Sequence, residues 1–139
     1  MRSEVGRKGI RAAIAASSGV QRIFVIPLSQ KVLLMPLIGT IDAGRAGLII
    51  EASLLGIARH RASHLILDIT GVPEIDTLAA DALVRTSRAV RIIGARAWMT
   101  GISPAIARTL AQIQADLGEL STYGTVQEAV ARLLRGKSL

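Results

Sequence analysis

The run Leu65–Ala80, LILDITGVPEIDTLAA, constrains this chain more than any other stretch. An apolar segment ends in Asp68, a Gly-Pro loop follows, and Asp76-Thr77 opens a segment of helical periodicity. A continuous apolar run, rather than an alternating one, marks a strand buried on both faces. Strand, loop and helix in that order predict an α/β domain. They put a hydroxyl beside an acid at a helix N-terminus, on the sheet edge where such domains place their chemistry.

Composition supports the same class. The 139 residues suffice for one ordinary domain. Half are hydrophobic but only 2% are aromatic, so the core must be built from Ile, Leu, Val and Ala. That suits a parallel sheet covered by helices better than an antiparallel sandwich. With no cysteine there is no disulfide scaffold, thiol nucleophile or thiolate metal site. The net charge of +7 comes from scattered residues, nearly all Arg, and Phe24, Trp98 and Tyr123 are each alone. Without an aromatic platform this reads as surface charge or an acidic protein partner, not as nucleic-acid binding. No apolar run approaches the ~18 residues that span a bilayer, so no membrane partner is expected.

Residues 1–20 carry Arg2, Arg7, Lys8 and Arg11 before an Ala-rich stretch. They superficially resemble a targeting peptide, but Ile is the only large apolar type in that stretch, and they read as a basic leader or a linker. Residues 21–135 then form the domain and 136–139 a tail.

Along the domain, Arg22–Leu28 and Lys31–Ile38 are β-rich runs separated by Ser29-Gln30, a hairpin spacing. Pro27 and Pro36 each remove a ladder donor and favour an edge or a strand end. After a turn at Gly39–Asp42, Ala43–Arg61 reads as a helix capped by Asp42. His64–Ile69 is the central strand. Thr77–Ile93 is the next helix, with Leu78, Leu83, Val90 and Ile93 on its apolar side and Gly94 as its C-terminal cap. Arg96–Thr100 is a strand. Ser103-Pro104 starts a helix to about Asp116. Glu119–Tyr123 is a short strand, and Thr125–Leu134 a helix with Thr125 and Glu128 as a capping box. The alternation predicts a mixed, mostly parallel sheet of about five strands with about four helices and right-handed crossovers.

Most catalytic chemistry finds no support. His60 and His64 are the only histidines and pair with no serine elbow, since GISPA (Gly101–Ala105) lacks the G-x-S-x-G pattern. Dispersed acids and two histidines lack metal-ligand spacing. No Gly-rich phosphate loop occurs, so no nucleotide cofactor is expected. A phospho-receiver using Asp68 is the main rival. Receivers need an acidic pair after the first strand and a lysine after the fifth. Here Ser29-Gln30-Lys31 follows the first run, and Lys8, Lys31 and Lys137 are the only lysines.

Asp76-Thr77 supports two readings. In one, Asp76 or Thr77 caps a helix, contributing roughly 1 kcal/mol. In the other, Thr77 also accepts a phosphate, adding roughly −1.5 to −2 charge where free N–H groups and the dipole favour it. Asp76 would repel that phosphate, and Arg85 and Arg88 lie too far along the helix to reach it.

Three motifs carry a family resemblance: MPLIGTIDAGRA (Met35–Ala46), LILDITGVPEIDTLAA (Leu65–Ala80) and IIGARAWMTGISPAIARTL (Ile92–Leu110). Together they resemble the STAS domain, the sulfate transporter and anti-sigma factor antagonist fold. They are nearest to the co-antagonist (RsbR-type) branch of bacterial stressosomes. The resemblance implies a cytoplasmic, non-enzymatic signalling module without a cofactor. A switch serine/threonine kinase of the GHKL type would phosphorylate Thr77, and other STAS proteins would be partners in a homo- or hetero-oligomer. Asp42 and Asp76 match the acids beside the family's two acceptor positions. Ala43 stands where the branch has its second acceptor threonine, so two-site control is not expected. Asp42, Ala43, Arg45 and Asp76 form the expected partner surface. A sensor domain usually precedes this module in the branch, which leaves a stand-alone protein and a C-terminal fragment both open. A scaffold in which Thr77 is only a cap is the third class.

Overall fold

The computed structural model describes residues 23–113 and 120–135. The leader at 1–20, the tail at 136–139, the extension of the third helix to Asp116 and the strand start at Glu119 lie outside the described residues. The elements are β1 (Ile26–Pro27), β2 (Val32–Ile38), α1 (Ala43–His60), β3 (His64–Gly71), α2 (Thr77–Ile92), β4 (Arg96–Thr100), α3 (Pro104–Ile113), β5 (Ser121–Thr122) and α4 (Val126–Arg135). The strands pair in the order β1-β2-β3-β4-β5. The hairpin β1–β2 is antiparallel and every later pair is parallel. The mixed, mostly parallel sheet expected from the alternation is therefore what forms.

Strand order decides the layering. Each right-handed crossover advances one place in the same direction, so α1, α2 and α3 fall on one face. There the alternate residues Leu33, Leu65 and Ala97 join a core with Ile49, Leu83 and Ile106 from the three helices. On the opposite face Val32, Ile66 and Trp98 are covered by Ala129 and Leu133 of α4. Both edge strands span only two residues, which shortens the unpaired edges.

Several boundaries differ from the sequence reading for local reasons. β1 is confined to Ile26–Pro27, shorter than Arg22–Leu28; at its C-terminal end the turn begins, where the N–H groups of Leu28 and Ser29 both donate to the Val32 carbonyl. Ser29 Oγ in turn accepts from the N–H groups of Lys31 and Val32. Pro36 sits inside β2, not at its end. Val32 directs its carbonyl toward β1, so by alternation Pro36 also faces that side, beyond the last β1 pair at Ile26–Leu34. No ladder donor is lost there. Helix α1 stops at Arg61 in the left-handed region (φ 52°), with its N–H donating to the Ile57 carbonyl. Leu78 and Ile93, expected on the apolar side of α2, are 43% and 47% exposed.

Candidate functional site

The C-terminal ends of β2 and β3 and the starts of α1 and α2 share one edge of the sheet. Asp42 is the N-cap of α1, its Oδ1 accepting the Arg45 N–H at 2.9 Å. Asp76 does the same for α2, accepting the Ala79 N–H at 2.8 Å. Its own carbonyl takes the Ala80 N–H. Asp76, not Thr77, is therefore the cap. Thr77 is the first helical residue and exposed, in the turn whose N–H groups lack intrahelical partners.

The expected site residues do not share one environment. Asp42, Ala43, Asp76 and Thr77 are all exposed. Arg45 is not on the surface as expected: it is 1% exposed. Its Nη1 donates to the Thr40 carbonyl at 3.1 Å, tying the loop before α1 to the helix. Desolvation lowers the guanidinium pKa from its ordinary value, while the Asp42 carboxylate pulls it back up. The reason is geometric, since position 45 faces the core from the first turn of α1, as Ile49 does one turn later.

Asp68 belongs to a separate constellation that the sequence did not reveal. Its Oδ1 accepts from the Thr100 hydroxyl at 2.7 Å and the Thr70 hydroxyl at 3.0 Å, linking the ends of β3 and β4. Thr100 is fully buried and Asp68 half-buried. Gly101, at φ 78°, caps the cluster; a Cβ there would collide with Thr70 and lie 2.8 Å from Asp68 Oδ1. The signal in the sequence was the register of D-x-T against T-G on adjacent strands, legible only once pairing is known. Of the histidines, His60 is exposed at the end of α1. His64 is buried, with Nδ1 accepting from Trp98 Nε1 at 3.0 Å.

Among the described residues the strand order never reverses, so they form no switch-point crevice of the kind in which doubly wound sheets hold cofactors. This edge presents Asp42, Glu74, Asp76 and Thr77, all exposed. Such a surface suits recognition by another macromolecule.

Residues 24–129 match the family model described as the STAS domain. The chain belongs to the STAS domain family. Among curated STAS relatives, it is 40% identical over 110 residues to the RsbT co-antagonist protein RsbRA of Bacillus subtilis. That match covers 79% of this chain and 40% of RsbRA, so the chain spans well under half the length of such relatives. RsbS of Moorella thermoacetica has the same fold: TM-score 0.71 and 23% identity, covering 85% of this chain and 99% of RsbS. So does the Bacillus cell fate determinant SpoIIAA in its phosphorylated form, at TM-score 0.59 and 14% identity, covering 80% and 98%.

Proposed function

We propose that this STAS domain is a non-enzymatic signalling module whose binding to partner proteins is switched by phosphorylation of Thr77. The single observation that carries the reading is the placement of Thr77. Its side chain is exposed on the first residue of α2, beside a cap supplied by Asp76. The hydroxyl is therefore not consumed in capping. A phosphate there meets the positive end of α2 and the free N–H groups of its first turn. Asp76 and Glu74 oppose it, so the phosphate changes the charge of an already acidic surface without refolding the domain. SpoIIAA is known in a phosphorylated form on the same fold. The relative RsbRA is named an RsbT co-antagonist protein. By that likeness the partners are a serine/threonine kinase of the GHKL type and other STAS proteins in a cytoplasmic oligomer. Ala43 removes the second acceptor, which leaves Thr77 to carry the switch alone.

Asp68 is a poor phosphoacceptor by comparison. Its carboxylate is held by two hydroxyls beneath Gly101. The test uses the full chain with magnesium ATP and a switch kinase of the stressosome type, and separately with magnesium and acetyl phosphate. Label is expected only in the kinase arm and is lost in Thr77→Ala. Label on Asp68 in the acetyl phosphate arm refutes the reading. So does equal partner binding by Thr77→Ala and Thr77→Glu.

A further inference from the structure

His64 is a buried titratable side chain that the Thr77 reading leaves unused. It is 6% exposed at the start of β3. The register places it between Val32 of β2 and Arg96 of β4. It lies two residues before Ile66, and so on the face that α4 covers. Trp98 Nε1 donates to its Nδ1 at 3.0 Å. An indole N–H only donates, so Nδ1 is unprotonated and the ring is neutral, with its proton on Nε2. A second proton would set a donor against a donor. The charged side chains on the described elements around it would not welcome that proton. They are Lys31 before β2, Arg96 on β4, Arg132 and Arg135 in the last turn of α4, and His60 and Arg61 at the end of α1. Arg96 also lies over the Trp98 ring, 4.8 Å from its centroid, so an imidazolium would be a second cation on one indole. Tyr123, stacked on Trp98, brings no charge. Glu128, the acid of α4, sits in its first turn.

That first turn is the far end of the helix. The Tyr123 N–H donates to the Met99 carbonyl and the Gly101 N–H to the Gly124 carbonyl. Helix α4 therefore starts at the C-terminal ends of the strands and runs back toward their starts, where His64 lies. Its buried residues are Ala129 and Leu133 alone. Burying an unpaired cation costs more than burying one Leu and one Ala gains. The cheaper response to protonation is for α4 to lift and let water reach the imidazolium. We infer that protonation of His64 undocks α4 and bares the apolar face of Val32, Ile66 and Trp98. The open state binds one proton more than the closed one. Opening is therefore independent of pH well above about 6.5, the ordinary imidazole value, and grows as pH falls through it. The device sits at the opposite edge of the sheet from Thr77 and stands without that reading.

Amide hydrogen exchange of the full chain tests it, with protection corrected for the intrinsic pH dependence of exchange. Protection of Val126–Arg135 is expected to stay constant from about pH 8 to about pH 7. Below about pH 6.5 it is expected to fall by up to about tenfold per pH unit, the limit for one proton, while protection of α2 holds. The emission of Trp98, the single tryptophan, shifts to the red over the same range. His64→Asn keeps a neutral acceptor at the Nδ1 position at every pH and is expected to abolish both changes. His60→Gln, at the other histidine, is expected to keep them. A parent protein whose α4 protection is independent of pH down to about 5 overturns the inference, whatever the variants do. So does the same loss of protection in His64→Asn. A loss shared equally by α2 also overturns it, because that marks general acid unfolding.

Discussion

Asp68 and Asp76 have the same side chain and lie eight positions apart, yet their surroundings give them opposite roles. Asp76 spends one oxygen on the Ala79 N–H and remains exposed. Asp68 holds the Thr100 hydroxyl in the interior. Removing Asp68 leaves that hydroxyl without its acceptor, and a buried unsatisfied group costs about 1–3 kcal/mol. Asp68→Ala is therefore expected to lower the unfolding free energy, read by urea titration, by that much. Thr77→Ala is expected to leave it within about 0.5 kcal/mol, because the exposed side chain lost takes no part in the cap that Asp76 supplies. Gly101→Ala is expected to be worse than either single loss. It combines a left-handed backbone (φ 78°) with a Cβ in contact with the Asp68–Thr70 pair. Equal stability of Gly101→Ala and the parent in urea titration would refute the close packing of this corner.

At the scale of elements, caps and packing faces can be separated by mutation. Asp42→Ala and Asp76→Ala each remove the acceptor of a first-turn N–H and are expected to cost about 1 kcal/mol by denaturant titration. Asp76→Asn, which keeps a capping oxygen, should recover most of that, whereas Asp42→Asn restores the cap but not the carboxylate beside the buried Arg45. Helix α4 is the sole helical cover of its face among the described residues and seats Leu133 and Ala129 against Trp98. Trp98 also stacks on Tyr123 with centroids 5.1 Å apart. Leu133→Ala is expected to cost about 2 kcal/mol and to shift the emission of this single tryptophan to the red. An unshifted spectrum with full stability would mean that α4 does not seal this face. The elements themselves were largely legible, since Asp42, Asp76, Ser103 and Thr125 mark helix starts by side-chain chemistry alone. Ser103 Oγ accepts from the Ile106 N–H, and Thr125 Oγ1 from the Glu128 N–H. The end of α1 was less legible, because Arg61 adopts the left-handed conformation without being a glycine.

At the scale of the molecule, the apolar run at β3, the aromatic-poor composition and the helical spacings were enough to predict a mostly parallel α/β sheet. The reason is that period and burial are local properties of a chain. The same local reading found Thr77 and its neighbouring acid, because a helix start is written within four residues. Tertiary structure decided everything that depends on which strands are neighbours. It withdrew Arg45 from the surface, joined Asp68 to Thr100 across 32 positions, and brought His64 to Trp98 across 34. Parallel strands with returning helices carry every strand start and helix end to one edge of the sheet, so residues far apart in the chain become neighbours. Contact between distant residues follows from strand order and register, and neither is encoded in any single segment.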